Sequence, residues 1–239
     1  MSGLILAGDV YVQRIGVDTG FIKLLNAKEF KITVEEADTK SRKSYGRSNY
    51  MATIQSYATP GDHSLSVVSD EFDRDTLAMA FLGSSASVAV AAGNVAAAPI
   101  TPVLNQWVEF SDSPVNPDTV VDGAATAILG TDFEIDGQGG MLKAITPAGA
   151  AVTTINYDRL AATGYAISAQ TTASMRAKVR LLGINLTSGE KVKFEAESVN
   201  LTPSGDINLL ADDFNTFTMA GGLELATGET APYKLTVLQ

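Results

Sequence analysis

The clearest structural signal in the sequence is the segment FEIDGQGGMLKAI, residues 133–145. Phe133 and Ile135 alternate with polar residues, and a second short run with strand character begins at Met141. Glycine and aspartate between the two runs favour a tight turn, because they tolerate backbone conformations that other residues avoid. The segment therefore predicts an antiparallel β-hairpin with its turn at residues 136–140.

Short alternating runs separated by turn residues recur along most of the chain, and no repeat of fixed period is visible. Residues 51–57 and 64–69 flank the turn-rich tetrad Thr59-Pro60-Gly61-Asp62, which predicts that these two runs pair as a hairpin. Trp107 lies in an apolar alternation and is expected in a core. Outside the 133–145 hairpin, the predicted strands are residues 9–15, 29–35, 51–57, 64–69, 107–110, 151–157, 174–182, 192–201 and 233–238.

One segment, about residues 73–82, has the pattern of an α-helix. Asp73 is a favourable N-cap residue, and Gly83 is expected just past the C-terminus of the helix, where glycine is common. Leu77 and Phe81 lie four residues apart, as do Ala78 and Leu82, so one face is continuously apolar. We expect this helix to pack against a β-sheet.

Residues 37–49 form a polar segment between two predicted strands and have no apolar period. A segment of this length without its own structure is usually functional or disordered. We interpret it as an arm that becomes ordered on a protein partner; a solvated loop and a nucleic-acid contact are the alternatives. The candidate contact residues of this arm are Asp38, Lys40, Arg42, Lys43, Tyr45 and Arg47.

The composition excludes several classes of protein. Apolar residues make up 45% of the 239 residues and charged residues 18%, so the chain can bury a core and is not disordered. With 17 Lys+Arg against 27 Asp+Glu, the net charge is −10, which argues against binding to nucleic-acid phosphates. Cysteine is absent, which excludes disulfides and thiolate metal sites.

Histidine occurs once, at His63, so a catalytic triad or a histidine-ligated zinc site would depend on that residue. His63 follows a turn, and no G-x-S-x-G motif accompanies it. We therefore interpret it as a polar turn residue. We expect no enzymatic activity, no cofactor and no small-molecule substrate.

The remaining polar clusters also have structural explanations. The acidic residues between Asp70 and Asp75 do not fit a calcium-binding loop and are explained by helix capping. Asp212 and Asp213 are adjacent, so on a strand they would point to opposite faces, and we interpret them as a solvated turn. The glycine-rich residues 137–140 precede a strand rather than a helix, which favours a hairpin turn over a phosphate-binding loop.

The N-terminal residues lack the basic region and the long apolar run of a secretory signal, and no stretch has the apolar length of a membrane span. We expect the chain to be made and kept in a reducing cytosol.

The order of these motifs resembles the tail tube proteins, or major tail proteins, of long-tailed bacteriophages and prophages, most closely the non-contractile kind. In the first half, the resemblance rests on residues 6–12, 41–49 and 70–83, which look like the family's first strand, polar linker and helix. In the second half, residues 130–142 look like its "D-Y-x-(I/V)-D … G-x-I" hairpin. The other similar segments are residues 156–157, 180–185, 188–189, 201–205 and 212–214.

This resemblance implies a single tail tube domain over residues 1–239, with a β-sandwich or barrel-like fold, one flanking helix and a long inter-strand arm. It implies six-fold rings that stack into a tube in the virion tail, assembled in the cytoplasm of the bacterial host. The implied partners are further copies of the chain, the tape measure protein, the tail terminator and the distal tail or tail tip proteins. DNA would pass through the lumen without specific binding, and the excess of acidic residues suggests an acidic lumen.

Two other classes remain open. A β-sandwich binding or adhesion module would use exposed aromatic side chains, and the inner tube of a type VI secretion system is a fold-level relative of the phage tube. An enzyme is disfavoured by the scarcity of histidine and the lack of cysteine.

Overall fold

The computed structural model describes residue 3 and residues 5–111, 113–206, 208, 210, 212 and 214–238. The protein is mainly β, as the sequence predicts, with 52% strand and 6% helix. In chain order, the strands and helices of the described residues are β1 (Leu6–Arg14), β2 (Ile22–Leu24), β3 (Ala27–Val34), β4 (Asp38–Lys43), β5 (Thr53–Thr59), β6 (His63–Ser69), α1 (Arg74–Ala80), β7 (Ser84–Val90), β8 (Gly93–Pro99), β9 (Trp107–Glu109), a short 3₁₀ helix (Pro117–Thr119), β10 (Val121–Asp122), β11 (Phe133–Asp136), β12 (Met141–Ala144), α2 (Pro147–Ala150), β13 (Thr154–Arg159), β14 (Ala162–Ser168), β15 (Met175–Asn185), β16 (Lys191–Ser204), β17 (Phe217–Leu223) and β18 (Lys234–Leu238).

The chain divides into two compact units. Unit 1 comprises Met1–Ser85 and Ile167–Gln239, and unit 2 comprises Ala86–Ala166. One boundary falls within β7 and the other within β14. These two strands pair with each other in a two-stranded sheet. The single domain expected over residues 1–239 stays a prediction.

Unit 1 is built on an eight-stranded antiparallel sheet in the order β2-β1-β15-β16-β17-β6-β3. The long strand β16 pairs with β15 along one side; on the other, its first half pairs with β18 and its second half with β17. Alternate residues point into the core, and the core side chains include Val12, Val179, Phe194 and Leu201, all fully buried. Burial of this apolar set is what holds the strands in one register.

Helix α1 confirms the predicted helix and its N-cap. The Asp73 carboxylate accepts a hydrogen bond from the Thr76 backbone N–H, and the Thr76 hydroxyl accepts one from the Asp73 backbone N–H. Of the two predicted i,i+4 pairs, Ala78 is buried and Leu82 packs against the unit 1 core, which also contains Met79 and Ala80. Leu77 and Phe81 are only half-buried.

The C-terminus of α1 corrects the role predicted for Gly83. The residue in the left-handed conformation is Leu82, with φ 48°, whereas Gly83 donates its N–H to the Ala78 carbonyl at 2.8 Å. Glycine is required at position 83 for another reason, because a Cβ there would collide with the Ser168 carbonyl oxygen.

The hairpin predicted between residues 51–57 and 64–69 is wrong. Both segments are strands, but β5 pairs with β4, and β6 pairs with β3 and β17. The turn residues 60–62 do not reverse the chain. Residues 84–98, in which no strand was predicted, form most of β7 and β8.

Unit 2 contains two small three-stranded sheets around its own core, which includes Val120, Phe133, Leu142 and Ile155. The hairpin predicted at residues 133–145 is confirmed as β11 and β12, with Asp136 opposite Met141. Trp107, expected in a core, is instead 47% exposed on the edge strand β9, because its neighbour Val108 takes the inward position.

Candidate functional site

The most unusual feature of unit 1 is a two-stranded ribbon that continues beyond the sheet. We call residues 35–62 the ribbon; it consists of β4, β5, their connection and the residues that join them to β3 and β6. Val34, the last residue of β3, faces His63, the first of β6; Asp38, the first residue of β4, faces Thr59, the last of β5. The offset is four residues on each strand, so the pairing on the two sides of the junction follows one register, from Glu29–Val68 to Arg42–Gln55, although residues 35–37 and 60–62 between them are not strand.

The junction between the sheet and the ribbon is held by the backbone. The Glu35 N–H donates to the Asp62 carbonyl at 2.9 Å, which bridges the gap between the two pairs of strands. A Cβ on Gly61 would collide with the Glu35 carbonyl oxygen, so the two strands approach closely only because residue 61 is glycine.

Both faces of the ribbon are exposed. Every residue of β4 is exposed, as is every residue of β5 except Thr59. At about 3.3 Å per residue, the six residues of β4 span roughly 20 Å. An isolated two-stranded hairpin in water is marginally stable at best. A ribbon with neither face covered is therefore suited to contact another molecule.

The predicted arm is thus half of a hairpin rather than a segment without structure. Its missing apolar period has a physical cause, since a strand with no buried face has no position that must be apolar. Asp38, Lys40 and Arg42 share one face of β4, opposite Thr59, Tyr57 and Gln55 on β5. Lys43 follows a bulge, and its ammonium group donates to the Thr53 hydroxyl at 2.8 Å.

The tip of the ribbon, residues 44–52, is an ordered turn. The Ser44 hydroxyl donates to the Asn49 side chain at 2.7 Å and accepts from the Gly46 N–H at 3.1 Å, and Ser44 is buried beneath the turn. Tyr45 and Tyr50 contact each other edge to face with their ring centres 5.9 Å apart, although Tyr45 is 78% exposed. Arg47 is exposed beside them. The tip therefore presents a fixed aromatic and basic surface.

The sequence prediction missed the apolar half of this surface. Large apolar side chains of the tip and β5 are exposed together with the predicted residues: Tyr50, Met51, Ile54 and Tyr57. Like β4, β5 lacks an alternating apolar face. This feature of the sequence could have indicated that the apolar side chains of β5 are exposed. Tyr, Met and Arg are enriched in protein–protein interfaces relative to the rest of the surface.

The sheet faces that point away from the unit 1 core differ in charge. Along β15 and the first half of β16, bases and acids alternate: Arg180 Nε lies 3.3 Å from a Glu195 carboxylate oxygen, and Lys178 Nζ lies 3.2 Å from Glu197. The hydrogen bond from Lys193 holds the pKa of Glu195 below its ordinary value. This face carries matched charges of both signs.

The outward face of β3, β6, β17 and the second half of β16 carries small and mostly hydroxyl side chains. Its charged residues are Glu29 and Lys31 on the edge strand β3. In register order across the four strands, the outward residues are Glu29, Val68, Thr218 and Ser204; Lys31, Ser66, Ala220 and Thr202; and Thr33, Ser64, Gly222 and Asn200.

The other candidates from the sequence occupy structural positions. His63 is the first residue of β6 rather than a turn residue, and its Nδ1 lies 3.1 Å from the Tyr233 hydroxyl. Asp70 pairs with Lys28 at 2.5 Å, and the pKa of Asp70 is lowered by this hydrogen bond. Asp212 is exposed, and Asp213 lies outside the described residues. Among the described residues, no group of three or more His, Asp or Glu side chains is arranged to hold a metal ion.

Unit 2 has one strongly perturbed carboxylate, on Asp122. Burial by itself would raise the pKa of Asp122, but hydrogen bonds from the Thr126 hydroxyl and from the N–H groups of Ala124, Thr126 and Ala127 lower it to about 2. The Thr126 hydroxyl lies 2.6 Å from the carboxylate. This carboxylate accepts four hydrogen bonds from residues 124–127 and so organises the loop of residues 122–127.

The described residues thus define a mainly β protein whose most exposed ordered feature is a charged ribbon. Comparison with known families matches residues 4–234 to a family described as "Protein of unknown function UCP028589". Because the match spans nearly the whole chain, the protein belongs to this family. A search of curated proteins found no match. In the part of the chain that the structure describes, no helix is both long enough and apolar enough to cross a membrane.

Proposed function

We propose that this protein is a structural subunit that assembles with copies of itself into the tail tube of a long-tailed bacteriophage. The observation that carries the proposal is the ribbon, an ordered β-structure with both faces exposed and a tip rich in tyrosine and arginine. The order of sequence motifs that resembles tail tube proteins supports it independently. The proposed role is structural, with no catalytic step and no cofactor.

The proposed fold is a sandwich formed by the single large sheet. Since β18 and β17 pair with successive halves of β16, the sheet divides into a layer of β2, β1, β15 and β18 and a layer of β17, β6 and β3, joined through β16. Residues from both layers contribute to one core, including Val10 and Val12 from the first and Leu65, Val67 and Met219 from the second. Burial of both inner faces is the physical basis of a sandwich.

We further propose that the layer containing β3, β6 and β17 lines the channel. DNA binds proteins mainly through its phosphates, so a channel wall should present few bases. The outward face of this layer meets that requirement, whereas the face of β15 carries Lys178 and Arg180. In this proposal, DNA does not adhere to the channel wall because the wall presents mostly small, neutral side chains. The net charge had instead suggested an acidic lumen.

Edge strands supply the means of ring closure. β3 is an edge of the unit 1 sheet, and β2 covers only Val10–Val12 of β1, so backbone groups of both edges are available to neighbouring subunits. Pairing between subunits would remove these edges. The tape measure, terminator and tail tip proteins are further proposed partners, and the virion tail is the proposed location.

Assembly of the purified protein is the test of this function. Concentrated protein is examined by negative-stain electron microscopy with light scattering alongside. We expect rings or hollow tubes of uniform width. The same measurement is made on a variant without the ribbon's outer part, in which Lys40–Tyr57 are replaced by a two-residue Asn-Gly turn. This turn joins the facing residues Thr39 and Ala58. We expect this variant to fold and remain unassembled; long tubes without the ribbon would contradict the proposal.

A second candidate function, a binding module, is favoured by one observation. Trp107 is exposed, and Lys143 Nζ lies 5.8 Å from its ring centre on the same face of the β11-β12-β9 sheet. A glycan screen that monitors the fluorescence of this single tryptophan tests it. Protein that stays monomeric while a glycan changes the emission of Trp107 would favour the binding module over the tube.

A further inference from the structure

One face of the ribbon carries a self-complementary charge pattern. Asp38, Lys40 and Arg42 occupy alternate positions of β4 and share one face. Glu36 lies two residues before Asp38, in the exposed junction between β3 and β4. At these four alternate positions the charges are minus, minus, plus, plus. Same-face neighbours are about 6.7 Å apart, because each residue of a strand advances about 3.3–3.4 Å.

These four charges are not neutralised within the chain. In the part of the chain that the structure describes, every ion pair lies outside residues 35–62. The cross-strand neighbours of Asp38, Lys40 and Arg42 are the uncharged residues Thr59, Tyr57 and Gln55. The charges are all exposed and available to a partner.

We propose that Lys40 and Arg42 of one copy bind Glu36 and Asp38 of the next copy, with the two ribbons parallel and shifted by four residues. This inference rests on the proposed tube function, in which all copies point the same way along one axis. A shift of four residues, about 13 Å, places each base of one ribbon opposite an acid of the other. Tyr57, which faces Lys40, contributes aromatic surface beside the contact.

The charge pattern favours a second copy over nucleic acid as the occupant. A ribbon that bound phosphates would be opposed by Glu36 and Asp38 at the base of the ribbon. A second copy uses the acids and the bases equally. Each copy uses its basic half to bind one neighbour and its acidic half to bind another. The contact is therefore heterologous and can propagate through a long assembly.

Paired charge reversals test the contact. The variant Lys40→Glu/Arg42→Glu has an all-acidic face, and the variant Glu36→Lys/Asp38→Lys has an all-basic face. We expect each variant alone to lose assembly by at least about tenfold, since like charges then meet at the contact. An equimolar mixture of the two is expected to restore assembly, because each variant complements the other.

The matched control is Lys191→Glu/Lys234→Glu, which makes the same change in net charge on exposed lysines outside the ribbon. We expect it to assemble like the wild type. Equal loss in this control, or a mixture of reversals that stays unassembled, would overturn the proposed contact.

Cysteine cross-linking separates this inference from the tube function itself. The chain has no cysteine, so Asp38→Cys/Arg42→Cys introduces the only thiols. Positions 38 and 42 are about 13 Å apart on one strand, too far for a disulfide within the chain. A parallel, shifted contact joins residue 42 of each copy to residue 38 of the next, so mild oxidation should give a ladder of multimers on a denaturing gel.

Cross-linked products that stop at the dimer would overturn the proposal in favour of two antiparallel ribbons, and a gel with monomers alone would overturn it outright. A ladder from protein that forms no tubes under the microscope would support the contact while contradicting the tail tube function.

Discussion

At the scale of single residues, Asp122 links the stability of unit 2 to pH. Its folded pKa of about 2 lies below the ordinary 3.8, so its stabilising contribution is complete above about pH 4 and is lost as the pH falls towards 2. Asp122→Asn should lower the free energy of unfolding by about 1–2 kcal/mol at pH 7, because a buried charged acceptor is lost. Urea unfolding followed by Trp107 fluorescence measures this, since Trp107 lies in unit 2.

The control is Asp118→Asn, an exposed carboxylate of the same unit, for which we expect little change. The difference between wild type and Asp122→Asn should shrink as the pH approaches 2, where the wild-type carboxylate becomes protonated. A difference that stays constant from pH 7 to pH 2 would show that the carboxylate charge is not the source of the stability.

Local chemistry at single residues was predictable where it depends on neighbours in the sequence. The Asp73 cap and the glycine-rich turn at 136–140 were both predicted from their immediate sequence, and both are confirmed. The role of Gly83 was not, because its constraint comes from the Ser168 carbonyl, far away in the sequence. The exposure of Trp107 likewise depends on which strands flank β9.

At the scale of elements, the sequence predicted where strands lie better than how they pair. The Thr59–Asp62 tetrad has the composition of a reversing turn, yet the chain passes straight through it from β5 to β6. The preference of Pro60 and Gly61 for turns is overridden by the core, because the pairing of β6 with β3 and β17 buries Leu65 and Val67. The missed strands are β2, β4, β7, β8, β10, β14 and β17. Much of the surface of β4, β7 and β8 is exposed rather than buried on one face, whereas β17 does bury Phe217 and Met219.

The proposed channel wall also leads to a prediction at this scale. Thr202→Lys/Ser204→Lys adds two bases to the outward face of β16 at exposed positions. Tubes of this variant should retain short double-stranded DNA at low salt, because each new base can contact a phosphate, and retention should fall steeply with salt. Co-sedimentation of labelled DNA with assembled tubes measures it, and wild-type tubes should retain little.

The matched control for the channel wall is Leu182→Lys/Ile184→Lys, with the same spacing on the outward face of β15, where both residues are exposed. Tubes of this control should exclude DNA from the channel as the wild type does. Equal retention by both variants would mean that the DNA binds charge anywhere on the tube, and the assignment of the channel wall would fail.

At the scale of the whole molecule, the chain combines two hydrophobic cores with one insertion point. Unit 2 enters through β7 and leaves through β14, and because these strands pair, the two ends of the insertion lie side by side. Insertions with adjacent ends are tolerated by a host domain and commonly fold by themselves. Among the described residues, every member of the core around Phe133 and Ile155 belongs to unit 2.

We therefore expect residues 84–168, expressed alone, to fold and to unfold cooperatively in urea, with a Trp107 fluorescence midpoint close to that of the full chain. The reciprocal variant replaces residues 91–161 with a short glycine-containing turn between β7 and β14, and should keep the far-ultraviolet signal of unit 1. An unfolded fragment together with an unfolded remainder would mean that the two cores stabilise each other. A folded remainder that still assembles would assign self-association to unit 1, since the ribbon and both sheet edges belong to that unit.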